Sequence, residues 1–181
     1  LEKKGFVQAL GVNYEVFKPI DKIEAIRHLG LDVHKKYVLF SDVSNTRIKR
    51  RDIAESIVKC LGNGYSLLIM CGVKPQEVPY YINASDFLLL TSDEEGSPNI
   101  IRETLSLNKS VFSVEVGDAA KQLGGLQNSA IISREPTKAA DSIMIILQKP
   151  YVDNTRETLK DRLDFVRVNR KVVDRYLALC M

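Results

Sequence analysis

The stretch DFLLLTSDEEGSPNIIRE, residues 86–103, decides the fold class of this chain. It opens with an apolar run over residues 86–92, whose length suits a buried strand. Ser97 is a favourable N-cap and Pro98 suits a first helical position, so the spacing predicts a helix over residues 97–108. A buried strand that leads through a short loop into a helix is typical of α/β domains.

The same alternation continues over the rest of the chain. Further buried strands are predicted at residues 36–42, 65–71, 110–116 and 129–133. Helices are predicted at residues 20–30, 51–61, 75–85 (short and broken), 118–123, 137–148 and from 151 onward. Continuously apolar strands separated by helices indicate a parallel sheet covered on both faces. The sequence therefore predicts a doubly wound, Rossmann-like α/β domain with five to six strands.

Length and composition set the domain organisation and exclude several classes of protein. The 181 residues fit a single domain, with a lead-in and short helix at 1–35, a core at 36–150 and C-terminal helices at 151–181. A net charge of +3, and a basic run at 47–51 without accompanying aromatic residues, argue against a nucleic-acid partner. No apolar run has the length of about 20 residues that a transmembrane helix needs.

The cysteines and histidines bear on compartment and metal binding. The three cysteines are scattered in apolar surroundings, which favours reduced thiols and a cytoplasmic protein. The two histidines lack metal-ligand spacing to each other or to a cysteine, so no metal site is predicted.

Ligands of doubly wound domains bind where strands lead into helices, and the loop after residue 92 is the richest of these positions. The first amides of the predicted helix, including those of Ser97 and Asn99, have no partner within the helix and form an anion site that suits a phosphate. Gly96 lets a ligand approach the backbone closely.

Two glutamates flank this anion site. Glu103 lies roughly 6–8 Å along the helix axis, a distance that suits a carboxylate accepting hydrogen bonds from a ribose diol. Glu95 lies before the helix, where it can bind hydroxyls attached to the far phosphate. The spacing fits a nucleoside, a diphosphate and a sugar in one extended ligand. The alternative is that acids near a helix N-terminus only stabilise the helix dipole, by about 0.3–1 kcal/mol each.

Residues 86–118 resemble the donor-binding half of retaining glycosyltransferases with the GT-B fold, the group 1 (family four) class. The mark of that family is a pair of glutamates with seven residues between them, here Glu95 and Glu103, and Gly96, Pro98 and Asn99 match as well. The likeness extends over about residues 9–181, including GVNYEVFKP at residues 11–19.

The resemblance implies a role for each matching residue of the acidic loop. Glu95 is implied as the catalytic carboxylate that orients the donor sugar. Glu103 is implied to hold the ribose hydroxyls. The amides of Gly96, Ser97 and Asn99 are implied to take the diphosphate.

Other loops supply the remaining candidates. Lys49 aligns with a diphosphate-binding lysine of the family, and Arg47 would replace the family's arginine, whose position is Val43 here. Fixed cations of this kind stabilise the charge that develops on a departing diphosphate, without a metal. Gly72 lies where the family binds the base, and Gly117 is expected to form a tight turn at the ligand mouth.

The sequence also departs from the family pattern. Ser41-Asp42-Val43 stands in place of Gly-Arg after the first strand, and the base-binding loop is shortened to Cys71–Pro75. These departures keep open a non-catalytic, GT-B-like nucleotide-binding or regulatory module. A nucleotide-sugar epimerase is disfavoured, because the carboxylates and histidines it uses are not found.

The resemblance thus implies transfer of a sugar from a nucleoside diphosphate donor, UDP or GDP, to an acceptor, with no cofactor beyond the donor itself. Assembly of cell-surface polysaccharide is the expected setting. The full enzyme would need an N-terminal GT-B domain, and it would be cytoplasmic with room for peripheral membrane association. The 181-residue chain by itself is expected to bind donor weakly and not to turn over. An apolar stripe along the C-terminal helices is expected to meet that domain in part; it comprises Leu159, Leu163, Val166, Val173 and Leu177.

Overall fold

The structure, a computed structural model, describes residues 8, 10–42, 46–151 and 154–180. Within these residues five parallel strands form one sheet in the order β2-β1-β3-β4-β5. The strands are β1 (Lys36–Ser41), β2 (Tyr65–Met70), β3 (Phe87–Leu90), β4 (Ser110–Ser113) and β5 (Ala130–Ile131). The predicted doubly wound parallel sheet is confirmed.

Eight α-helices connect and cover these strands in the described part of the chain. They are α1 (Lys22–His28), α2 (Arg51–Leu61), α3 (Val78–Ala84), α4 (Asn99–Ser106), α5 (Ala119–Leu123), α6 (Pro136–Leu147), α7 (Thr155–Leu163) and α8 (Phe165–Cys180). Short 3-10 turns at Arg47–Lys49 and Pro75–Glu77 precede α2 and α3.

The strands are continuously apolar because both faces of the sheet are covered. In β1, Leu39 joins a core with α1, α3, α4, α5 and α7, whereas Val38 and Phe40 join a second core with α2 and α6. In the second core Phe87 meets Phe112 edge-on, with 5.1 Å between ring centroids. Successive residues of a strand point to opposite faces, so each face needs its own apolar set.

The strand order places the topological switch point between β1 and β3. From β1 the chain passes to β2 on one side, and from β2 it crosses back to β3 on the other side of β1. The connections therefore diverge at the carboxyl ends of β1 and β3, and such a divergence opens the crevice in which ligands of these folds bind. Two loops lie at this point: the basic loop, residues 47–51 after β1, and the acidic loop, residues 93–97 after β3.

The two C-terminal helices are separated by a break at Asp164, whose backbone is extended with φ −60° and ψ 125°. The segment around Val12 lies in this break: the Val12 amide donates to Leu163 O at 2.6 Å, and the Phe165 amide donates to Val12 O at 2.9 Å. The predicted apolar stripe divides here. Leu159 and Leu163 are buried, whereas the members on α8, Val166, Val173 and Leu177, are exposed.

Among the helices of the described ranges, none combines the length and the apolar character that crossing a bilayer requires.

Candidate functional site

The loops that follow β1 and β3 are joined by backbone contacts. The Asp93 amide donates to Ile48 O at 2.8 Å. The Thr91 hydroxyl donates to Lys49 O at 3.0 Å and to Arg50 O at 2.9 Å. The two strands are parallel neighbours, so their following loops emerge side by side. Side chains that are more than forty residues apart in sequence thus meet at the switch point.

Lys49 and Glu95 form an ion pair across these loops. Lys49 Nζ lies 2.6 Å from Glu95 Oε1, and the side chains are 24% and 14% exposed. The same carboxylate oxygen accepts a hydrogen bond from Ser92 Oγ at 2.8 Å. The sequence predicted both residues as ligand-binding groups of one site, and the structure brings them together. It also adds a direct contact between them that the sequence did not indicate.

The predicted cap of the following helix is wrong. The helix α4 begins at Asn99 with Pro98 at the N-cap position, and no side chain caps it. Ser97 does not cap because its hydroxyl is engaged elsewhere. It donates to Asp118 Oδ2 at 2.7 Å and accepts from Arg102 at 2.7 Å.

Arg102 occupies much of the helix mouth. Its guanidinium also donates to the Ser97 carbonyl and to Asn99 Oδ1, and the residue is only 2% exposed. Burial lowers the pKa of Arg102, partly countered by Asp118 and Glu103. The anion site predicted from backbone amides therefore contains a guanidinium as well, held by neutral oxygens. Sequence reasoning missed Arg102, because a charged residue within an amphipathic helix is usually placed on the solvent face.

Glu103 differs from Glu95, the other glutamate of the pair. It lies on α4, partly buried, and its carboxylate makes no hydrogen bond or ion pair with any residue that the structure describes. Burial raises the pKa of Glu103, and the neighbouring Arg102 offsets this in part. The carboxylate thus retains its full capacity to accept hydrogen bonds.

The glycines of the site differ in their surroundings. A Cβ atom built on Gly96 or Gly72 would meet nothing within 4 Å, so the backbone there faces open space. Gly117 adopts φ +53°, and a Cβ atom there would lie 2.4 Å from Gly96 O and 2.7 Å from Glu95 O. The tight turn predicted at Gly117 is present, and its function is to let the loop after β4 lie directly against the acidic loop.

Arg47 is exposed beside an open hollow of about 690 Å³ at the end of β1. The hollow is also lined by Arg50, Arg51, Asp42, Asp52 and Asp93. Within the described ranges Arg47 forms no ion pair, so its charge is available to a ligand. Val43, the position of the family's arginine, lies outside the described residues.

Sequence reasoning also missed Arg134, whose hydrogen bonds hold the acidic loop in place. Arg134 donates to Ser92 O at 2.8 Å, to Thr91 O at 3.2 Å and to Asp93 Oδ1 at 2.8 Å. Arg50 approaches the same Asp93 carboxylate at 3.3 Å. No local signal identifies Arg134, because it follows β5 and reaches the loop only through the sheet order.

In the ranges that the structure covers, no group of three or more His, Cys, Asp or Glu side chains is arranged to hold a metal ion. Cys60 and Cys71 are free and exposed thiols.

No protein-family model and no curated protein matches this chain, but solved structures do. HepE of Anabaena, determined in complex with UDP, superimposes with a TM-score of 0.78 at 16% identity, covering 96% of this chain and 57% of HepE. Sucrose-phosphate synthase from Thermosynechococcus elongatus gives 0.74 at 16% identity, covering 96% of this chain and 52% of that one.

A third structure is the C-terminal domain of LpcC, a glycosyl transferase group 1 family protein from Francisella tularensis. It gives a TM-score of 0.61 at 14% identity, covering 90% of this chain and 98% of that domain. At these identities the likeness shows the fold: this chain has the fold of the C-terminal domain of such transferases, as the resemblance implied. The chain spans about half the length of HepE and of the sucrose-phosphate synthase.

Proposed function

We propose that this chain is the nucleotide-sugar-binding half of a retaining GT-B glycosyltransferase of group 1, family four. The observation that carries the proposal is the meeting of Lys49 and Glu95, 2.6 Å apart, at the switch point of the sheet. Structures of HepE, a fold relative, were determined with UDP and with UDP-glucose. A UDP-sugar is therefore the donor we favour over a GDP-sugar.

Lys49 and Arg47 would bind the donor diphosphate together with the amides of Gly96, Ser97 and Asn99. In sugar transfer the bond between the anomeric carbon and the diphosphate oxygen breaks, and that oxygen gains negative charge. Fixed cations and backbone donors stabilise this charge more in the transition state than in the bound donor. The open space beside Gly96 supports this placement, because a phosphate can reach the backbone there.

Glu103 would accept hydrogen bonds from the ribose, since of the paired Glu95 and Glu103 it is the partly buried carboxylate with no partner in the described structure. Glu95 would orient the donor sugar, and Gly72, after β2, would lie beside the base. Glu95 must then share its oxygens between Lys49 and the sugar, and a carboxylate with two oxygens has the acceptor capacity to do so.

The acceptor site would come from a second GT-B domain. This chain covers about half of two fold relatives, and α8, which begins beside Val12, exposes the apolar side chains of Val166, Val173 and Leu177. We propose that part of α8 packs on that second domain. The enzyme would act in the cytoplasm in cell-surface polysaccharide assembly, and the chain alone would not turn over.

A second candidate is a non-catalytic, GT-B-like nucleotide-binding or regulatory module. It is favoured by the contacts among Ser97, Asn99 and Arg102, which occupy part of the helix mouth, and by the neutralisation of Lys49 by Glu95. Both features reduce the room and the charge offered to a diphosphate.

Calorimetric titration of UDP, UDP-glucose, GDP-mannose and ADP-glucose would decide between these candidates. We expect UDP and UDP-glucose to bind. Glu103→Gln should raise the Kd for UDP about tenfold, and Lys49→Met should raise it more. Asp141→Asn and Lys35→Met, exposed positions away from the site, serve as charge-matched controls. Absence of binding by a folded wild-type chain would overturn the transferase proposal and also any nucleotide-binding module.

Detection of donor-dependent sugar transfer separates the transferase from the module. We expect none from the 181-residue chain alone and transfer when the chain is extended by its own second domain. UDP binding that persists while the extended protein shows neither transfer nor donor hydrolysis would favour the module.

A further inference from the structure

A second basic site is lined by Gly96 and Ser97 of the acidic loop but not by Lys49. A cavity of about 620 Å³ opens among α4, α5, α7 and α8. We call it the basic cavity, because four cations line it: Arg102, Lys121, Arg162 and Lys171. Asp118 is its one acidic lining residue in the described structure.

The charges around the basic cavity are poorly compensated. Lys121 and Arg162 form no ion pair or side-chain hydrogen bond with the residues described. Within the described ranges, the one hydrogen bond of the Lys171 side chain is to a backbone carbonyl, Asp161 O, at 3.4 Å. Like charges that converge without partners repel one another, so a bound anion would relieve this arrangement.

Arg102 is the one buried cation among the four that line the cavity. Among the described residues it makes three hydrogen bonds, all to neutral oxygens of Ser97 and Asn99. A guanidinium carries five N–H donors, so this leaves two for another partner. A charge that is 2% exposed and lacks a directly paired carboxylate is costly for a protein to keep.

The rest of the lining separates polar from apolar surface. Asp118 offsets part of the Arg102 charge, and its two carboxylate oxygens accept from Ser97 Oγ at 2.7 Å and from Gln122 Nε2 at 2.6 Å. Leu105, Leu159 and Leu163 form an apolar side. The cavity thus offers cations to a charged head and leucines to an apolar portion.

We propose that the basic cavity binds a phosphate-bearing ligand, with the phosphate among Arg102, Lys121 and Arg162. A phosphate is favoured over a carboxylate because it carries up to two negative charges and accepts from forked guanidinium donors. The inference does not rest on the roles proposed for Lys49, Glu95 and Glu103, although Gly96 and Ser97 of the donor loop also line the cavity and Arg102 lies in the helix mouth between the two sites. The bound phosphate can belong to a free phosphate compound or to the head group of a lipid.

The test uses the 181-residue chain and two probes at fixed ionic strength, inorganic pyrophosphate and dihexanoyl phosphatidic acid. Titration is followed by amide shifts of the ¹⁵N-labelled protein. We expect saturable shifts at Lys121 and Arg162. Tighter binding of the lipid supports a head-group ligand that uses the leucines, and equal or tighter binding of pyrophosphate supports a free phosphate compound.

The decisive variant is Lys121→Ala/Arg162→Ala, which removes two exposed cations without disturbing buried Arg102. We expect at least tenfold weaker binding of the preferred probe. Lys35→Ala/Lys138→Ala removes the same charge from exposed positions elsewhere and should leave binding unchanged. Lys49→Met removes a cation of the proposed donor site; it can weaken pyrophosphate binding at the donor loops, but it should leave the amide shifts at Lys121 and Arg162 unchanged.

Three results would overturn the inference. The first is the absence of saturable binding of both probes. The second is binding that the control pair weakens as much as Lys121→Ala/Arg162→Ala does. The third is binding that Lys49→Met abolishes while Lys121→Ala/Arg162→Ala retains it.

Discussion

Glu95 and Glu103 belong to one motif, yet the protein treats them in opposite ways. Glu95 lies in a loop and accepts from Lys49 Nζ at 2.6 Å and Ser92 Oγ at 2.8 Å. Glu103 lies on a helix with no partner in the described structure, and burial raises its pKa. The difference shows that one acid contributes to the stability of the loops, whereas the other is kept available at some expense in stability.

The largest effect is expected from Glu95→Ala. The change would leave Lys49 half-buried without its counterion and Ser92 without its acceptor. We expect a loss of about 2 kcal/mol in unfolding free energy. For a chain of this size this lowers Tm by about 4–8 °C in calorimetry. A change below about 0.5 kcal/mol would show that the pair contributes nothing to the loops.

A double-mutant cycle of Lys49→Met and Glu95→Gln would measure the pair itself. We expect a coupling energy of about 1–2 kcal/mol, because contacting charges in a partly buried pair are not additive. The measurement is denaturant unfolding of the wild type, both single variants and the double variant. Additive effects would mean that each residue acts through other neighbours.

Glu103→Gln should change the unfolding free energy much less than the substitutions of Glu95 and Lys49. Removing a desolvated charge that has no partner should leave the unfolding free energy within about 0.5 kcal/mol of wild type, on the stabilising side at neutral pH. Asp141→Asn, an exposed acid on α6, is the matched control. A loss as large as that of Glu95→Ala would remove the distinction between the two acids.

The smallest effect is a pH dependence carried by Glu103. Its pKa is raised in the folded state, so between the ordinary value of 4.5 and the raised value the folded chain binds more protons than the unfolded one. Glu103 therefore favours folding at the acidic end of this window, and that contribution is lost as the pH rises through the folded pKa. Unfolding curves measured at several pH values give the unfolding free energy of the wild type and of Glu103→Gln. The difference, wild type minus variant, should fall as the pH rises through this window. A difference that does not vary with pH would contradict it.

The sequence was sufficient for the layers of the fold and for the region of the site. Uninterrupted apolar runs such as Phe87–Leu90 indicate strands buried on both faces. The rule that ligands bind at the carboxyl ends of parallel strands then selects the loops of Lys49 and Glu95. Which side chains meet there depends on the strand order, which the sequence pattern does not predict. The family resemblance alone assigned Lys49 and Glu95 to one site.

The hydrogen bonds and ion pairs within the candidate site were not predictable from the sequence. Ser97 fits the local pattern of a cap, but Asp118, twenty-one residues away, competes for its hydroxyl. Arg134 reaches Asp93 from across the sheet, forty-one residues along the chain. Helix-capping rules describe neighbours in sequence, and these contacts are set by packing. The division of the C-terminal stripe at Asp164 depends likewise on the distant Val12, whose amide and carbonyl bond to both sides of the break.

The contact at Gly117 has a consequence for how this protein can change. A single methyl group at that position would enter the space of the Gly96 carbonyl, 2.4 Å away. Backbone atoms cannot rotate aside as a flexible side chain can, so even an alanine would act as a wedge that displaces the peptide next to Glu95. The position of the peptides at Glu95 and Gly96 can thus be altered from the loop after β4, by a change at a residue outside the acidic loop.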